Sequence, residues 1–199
     1  MIGKLLQLAV VGLLLSAAAG GGWLVGGGPL RGHADEPATV DAQTAQELGF
    51  TEPEVEEIQL QETIEVQGVE KRLNVSAYMM ATGTETGAVR VAVMSLPGWT
   101  VAGVTMNPLA YVPLKQAVKH VLPNLPAETP EVAWEGESTV ELGEKEVTAG
   151  EYAVEGESAR IVVARASMEG DLVFAVGIYS TESQDARDRI EGLFSNLSH

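Results

Sequence analysis

Leu172-Val173-Phe174-Ala175-Val176-Gly177-Ile178-Tyr179 carries no polar side-chain group until the tyrosine hydroxyl. A run this short suits a strand better than a helix, and a strand sends alternate side chains to opposite faces. A strand that is apolar on both faces has to be covered on both. Val89-Arg90-Val91-Ala92-Val93-Met94 is apolar at nearly every position. Together the two runs predict central strands of a sheet that is covered, at least in part, on each side.

Turn signals organise the rest around them. Glu169-Gly170 joins a strand over 161–168 to the last apolar run, and Leu142-Gly143 and Glu155-Gly156 mark two further turns. Residues 132–179 therefore read as a four-strand meander. Upstream, Gln67-Gly68 separates strands over 62–67 and 69–80, preceded by an acidic stretch, Thr51–Glu57. Val69, Leu73, Val75, Ala77 and Met79 share one face of the second strand; Arg72, Asn74, Ser76 and Tyr78 share the other, wetter one.

Three helices are predicted. Asp41 caps a short one that runs to Leu48 and stops at Gly49. Pro113 opens a second, with Leu114, Ala117, Val118, Val121 and Leu122 at helical spacing and Pro123 at its end. Thr181 and Gln184 have capping-box spacing before a third, whose apolar stripe is Ala186, Ile190, Leu193, Phe194 and Leu197. The expected class is α+β: a mainly antiparallel sheet with helices packed on its faces, preceded by an N-terminal apolar helix and a flexible tether.

That apolar segment runs from Leu5 to Val25, with Gln7 and Ser16 its only polar residues and Lys4 just before it. Its length suits an uncleaved membrane anchor. A cleavable signal with Ala17-Ala18-Ala19 as the processing site is the competing reading. Either exports the remainder, which places the domain at the outer side of the cell membrane if anchored and outside the cell if released. Residues 1–25 are thus the anchor or signal, 26–40 a Gly-rich tether, and 41–199 a single extracytoplasmic domain.

Charge narrows the partners. Every acidic residue lies at or after Asp35, so residues 35–199 carry 10 basic and 28 acidic groups, a net −18 on 165 residues. Such a surface disfavours nucleic acid. It suits concentrated salt, where screening shortens the reach of repulsion. The sequence has no cysteine, which rules out disulfides, thiol catalysis and a lipidated N-terminal cysteine.

The stretch Val91–Pro108, with Pro97, Gly103 and Asn107-Pro108 after an apolar strand, resembles a signature of a family of exported haloarchaeal proteins of unknown function. Leu48-Gly49-Phe50, Val140-Glu141-Leu142-Gly143-Glu144 and Phe174-Ala175-Val176-Gly177 are similar to that family too, so the resemblance spans about residues 42–197. It implies an exported domain with a PsbP/Mog1-like fold, an antiparallel sheet between helices, and it implies no activity. Members often carry a lipidated cysteine; this chain lacks one, which leaves residues 5–25 as its link to the membrane.

Catalytic signals are sparse. His33, His120 and His199 have no neighbours at metal-ligand spacing, and no nucleophile elbow, phosphate loop or dinucleotide fingerprint is present. No cofactor and no enzymatic activity are expected; the alternative is an exported hydrolase whose carboxylates cannot be singled out among 23 glutamates. The candidate interaction surface is Pro97, Trp99 and Asn107 in a loop-like segment, with Lys115, Lys119 and His120 on the helix after it. Asn74 and Asn196 begin Asn-x-Ser sequons. The expected mode of action is binding, with the membrane as one partner through residues 5–25 and the other unidentified.

Overall fold

The computed structural model describes residues 30–66, 69–101, 104–106, 114, 132–183 and 185–199. Ten strands and two helices are described: β1 (Leu30–His33), α1 (Ala42–Glu47), β2 (Glu54–Val66), β3 (Val69–Gly83), β4 (Val89–Leu96), β5 (Trp99–Val101), β6 (Val104–Met106), β7 (Val132–Leu142), β8 (Lys145–Val154), β9 (Ala159–Met168), β10 (Asp171–Ser180) and α2 (Ala186–Ser195). The main sheet has eight strands in the order β1-β3-β4-β10-β9-β8-β7, with β2 also paired to β3.

The doubly apolar runs lie where two-sided burial demands. β4 and β10 are neighbours inside the sheet, with Phe174 opposite Met94 and Val176 opposite Ala92. On one face Val91, Val93, Val173 and Ala175 pack with Ile190, Leu193 and Phe194 of α2 and with Ala45 and Phe50 near α1. On the other face Met79, Met94, Leu96, Tyr152, Val163, Leu172 and Phe174 form a second cluster that includes Leu114. The meander β7–β8–β9–β10 is antiparallel throughout. Its last turn has positive φ at both Glu169 (47°) and Gly170 (101°), the handedness that matches two-residue hairpins to strand twist.

α2 lies close against the sheet because Gly177 has no side chain. A Cβ there would stand 2.7 Å from Ile190 Cγ2 and 3.0 Å from Val162 Cγ1. Arg187 adds polar ties from the same helix, to Glu151 of β8 at 3.1 Å and to Ser138 Oγ of β7 at 3.0 Å. Burial alone would lower the Arg187 pKa, but the hydrogen bond to Glu191 and the charge of Glu151 outweigh it and hold the guanidinium protonated.

Several expectations are corrected. The α+β class with helices packed on the faces of a mainly antiparallel sheet does not hold: the described chain is mostly strand, its helices are one of six and one of ten residues, and the sheet is mixed because β1 runs parallel to β3. Part of the difference is β2, which already begins at Glu54, within the acidic stretch expected to precede the strands. Val55 on this edge strand is 46% exposed, so backbone pairing to β3 holds the strand without a hydrophobic alternation to announce it. Residues 30–40 also depart from a tether, since β1 pairs with Leu73–Ser76 and Ala34, Ala38 and Val40 are buried. Finally, α2 starts one residue after Asp185, whose side chain makes no cap hydrogen bond, so the Thr181–Gln184 capping box does not open it. The predicted helix over 113–122 lies outside the described residues except for Leu114, as does the Leu5–Val25 run. No helix among the described residues is long and apolar enough to cross a membrane.

Candidate functional site

The predicted interaction surface is only partly within view. Pro97 is buried at the end of β4. Trp99 opens not a loop but a strand: β5 pairs with β6, Trp99 opposite Met106, as a two-stranded sheet separate from the main one. Asn107, Lys115, Lys119 and His120 lie outside the described residues. Leu114 is 9% exposed, and its carbonyl accepts a hydrogen bond from the Tyr152 hydroxyl at 2.9 Å.

The structure gathers a different set of polar groups at the root of that hairpin. β2 pairs with β3 from residue 69 to 81, which fills one edge of β3. On the remaining edge β4 takes Tyr78–Gly83 and β1 takes Leu73–Ser76, so the two strands meet nearly end to end. At such a junction two chain segments leave the sheet with backbone N–H groups that need partners. Asp171, the first residue of β10, supplies them. Its Oδ2 accepts from the Asp35 N–H at 2.9 Å, and its Oδ1 lies 3.4 Å from the Gly98 nitrogen, which donates to it. Ser95 Oγ accepts from the Ala38 N–H at 2.7 Å. One residue further on, Thr39 and Ser198 exchange backbone hydrogen bonds of 2.9 and 2.8 Å.

His199 closes the cluster. Its Nε2 is 3.3 Å from Asp171 Oδ2, and both side chains are 3% exposed. That distance suits an ion pair, but no hydrogen bond forms, and both imidazole nitrogens are buried without a hydrogen-bond partner. Burial raises the Asp171 pKa, and the nearby charge of Asp35 adds to this; the Asp35 and Gly98 N–H groups and His199 oppose it.

Serine, histidine and aspartate thus come together, but not as a nucleophile and its base. Ser95 is wholly buried and its oxygen is occupied by a backbone N–H, while His199 faces the carboxylate and no hydroxyl. Catalysis of that type needs a hydroxyl–imidazole hydrogen bond and room for a substrate. Among the described residues no group of three His, Asp or Glu could hold a metal ion. What this arrangement can do is fasten the chain: it ties the segment over 34–40 and the root of the β5–β6 hairpin to one carboxylate.

Sequence reasoning passed over Ser95, Asp171 and His199. A faint signal existed in Asp171, one of only five aspartates and set at the start of an otherwise apolar run. Nothing in the order of residues pairs it with Asp35 or His199, which are distant along the chain.

Residues 37–198 match the family described as a domain of unknown function, DUF6517. The chain belongs to that family. The DUF6517 region begins two residues before Thr39 and ends at Ser198, so the backbone bridge between those residues closes the family unit on itself. β1 and His199 stand just outside it. No curated protein matches the chain.

Proposed function

We propose that this DUF6517 chain is an extracytoplasmic domain, held at the cell membrane by its Leu5–Val25 run, that acts by binding in a high-salt environment of the haloarchaeal kind. The observation that carries this reading is the buried cluster around Asp171. It secures the N-terminal segment to the sheet and, through the Gly98 N–H, places the β5–β6 hairpin beside that attachment. A domain whose N-terminal segment is fastened in this way keeps its surface fixed relative to that segment, which favours recognition. The apolar N-terminal run and Lys4 support export with the amino terminus inside.

Protease added to intact cells should cut within residues 35–199, and the mass of the mature chain should include residues 1–25. A mature chain beginning near Gly20 would keep export and remove the anchor, whereas a domain confined to the cytosol would remove both.

The salt part of the proposal has its own test. With a net −18 on residues 35–199 and four lysines among them, self-repulsion opposes the compact state. Screening shortens the reach of those charges from ~10 Å at 0.1 M to ~3 Å at 1 M. The urea midpoint is expected to rise between 0.1 and 2 M potassium chloride, most steeply at the low end, on the order of the screening effect. Sucrose, which screens nothing, should reproduce little of the low-salt rise. A flat midpoint would defeat the high-salt reading.

A further inference from the structure

Among the described residues, the β2–β3 hairpin extends past both strands that share the other edge of β3. β1 reaches down β3 only as far as Leu73, and β4 only as far as Tyr78. Residues 69–72 of β3 therefore pair with 63–66 of β2 alone, the two strands being joined by two residues. Four residues of strand amount to ~13 Å, so this arm stands about that far beyond the end of β1.

The direction of the arm gives it meaning. β1 is parallel to β3, Leu30 opposite Leu73 and His33 opposite Ser76. β1 thus begins on the side of the domain towards which the arm points. Only residues 26–29 separate Leu30 from Val25, the last residue of the apolar run. Five residue steps span at most ~18 Å however they are arranged. An arm ~13 Å long beside a leash of at most ~18 Å meets the surface in which that leash is rooted.

Charge agrees with this placement. Residues 63–66 and 69–72 contain Glu65 and Glu70 against Lys71 and Arg72, a net of zero, with Ile64, Val66 and Val69 as apolar members. Residues 35–199 as a whole carry −18. Of a body that anionic headgroups repel, the arm is a part that can approach them closely.

We infer that the β2–β3 arm, residues 63–66 and 69–72, rests on the lipid surface beside the anchor and sets the orientation of the domain on the membrane. This rests on the anchor reading above. The opposite end of the sheet, where β8 turns into β9 at Glu155–Ser158, then faces away from the bilayer, ~30 Å above the β9–β10 turn by strand length.

The absence of cysteine allows a direct test with the full chain. Single-cysteine variants Thr63→Cys on the arm and Ser158→Cys at the far end are labelled with a fluorophore. Each is reconstituted in phosphatidylcholine vesicles carrying nitroxide headgroups, with and without anionic lipid, in 2 M potassium chloride. Quenching at position 63 should exceed that at 158 roughly threefold or more, because the leash confines the arm to within ~18 Å of the anchor. It should exceed it in both lipid mixtures, since the arm has no net charge. Equal quenching at the two positions in chains that float with the vesicles overturns the orientation while leaving the anchor in place. Chains that fail to float overturn the anchor and the orientation together.

Discussion

Phe194→Ala is expected to lower stability by about 3–5 kcal/mol, the cost of emptying a large aromatic site that cannot collapse. Phe194 is wholly buried in the core cluster that α2 shares with the sheet. Its own carbonyl accepts the Gly143 N–H at 2.9 Å, so the backbone around the cavity is held by the β7–β8 turn and relaxes little. Domains of ordinary size are stable by about 5–15 kcal/mol, so this loss takes a large fraction of the total. Urea unfolding in 2 M potassium chloride, where wild type is expected to be most stable, should show the lower midpoint with an unchanged slope. Val55→Ala, at a site 46% exposed, is the control and should stay within about 0.5 kcal/mol. A Phe194→Ala midpoint equal to that of the control would mean that α2 contributes little to the fold.

The second large effect is at Asp171, where two substitutions should separate. Asp171→Ala leaves the part-buried Asp35 and Gly98 N–H groups without their acceptor, which costs about 1–3 kcal/mol in all, near the low end of the range for each orphaned group. Asp171→Asn keeps an acceptor oxygen and removes a buried charge, so at neutral pH it should lie within about 1 kcal/mol of wild type. The pH dependence carries the sign. Burial raises the folded-state pKa of Asp171 above its unfolded value. The contribution of the group is therefore fully present below the unfolded pKa and falls away as pH rises through the folded one. Wild type should gain on Asp171→Asn as the pH is lowered from 7 towards 4. The difference between the two proteins is the readout, because carboxylates remote from residue 171 titrate alike in both. Amide exchange should also quicken at Asp35 and Gly98 in Asp171→Ala and not in Asp171→Asn. A pair of variants that behave alike would show that the carboxylate does not hold these segments.

Such tests bear on a cluster that no local pattern announced, whereas much of the sheet was readable. The apolar runs at 89–94 and 172–179 put β4 and β10 side by side in its interior, because two-sided burial admits few other positions. The stripe from Ala186 to Leu197 matches the buried face of α2, since helical period is a property of the local chain. Turns at Gly143, Gly156 and Gly170 likewise fall where the meander was divided, each glycine having positive φ. The arm is a partial case: its hairpin was legible around Gln67-Gly68, but its upstream limit was not, because an exposed edge strand has no buried face to print a period on the sequence.

Of the interaction surface, Pro97 and Trp99 were rightly placed in sequence next to the end of an apolar strand. Their environment was not legible. Pro97 proves buried, and the segment after it pairs as β5 and β6. Residues 30–40 were read as a tether because Gly, Pro and small side chains have no packing period of their own. They are held instead by the open edge of β3, by Ser95 and by Asp171, partners that lie far along the chain.

What the sequence by itself determined are the properties carried by neighbouring residues: strand and helix periods, turn positions, the surplus of acidic groups and the apolar run before the domain. Tertiary structure alone decided the balance of strand over helix, the end-to-end meeting of β1 and β4, and the gathering of Ser95, Asp171 and His199. The physical reason is the range of the interactions. Periodicity is fixed by backbone geometry over a few residues, whereas a buried carboxylate becomes a fastening only when folding brings N–H groups from residues 35 and 98 to residue 171 and removes the water that would otherwise have served them.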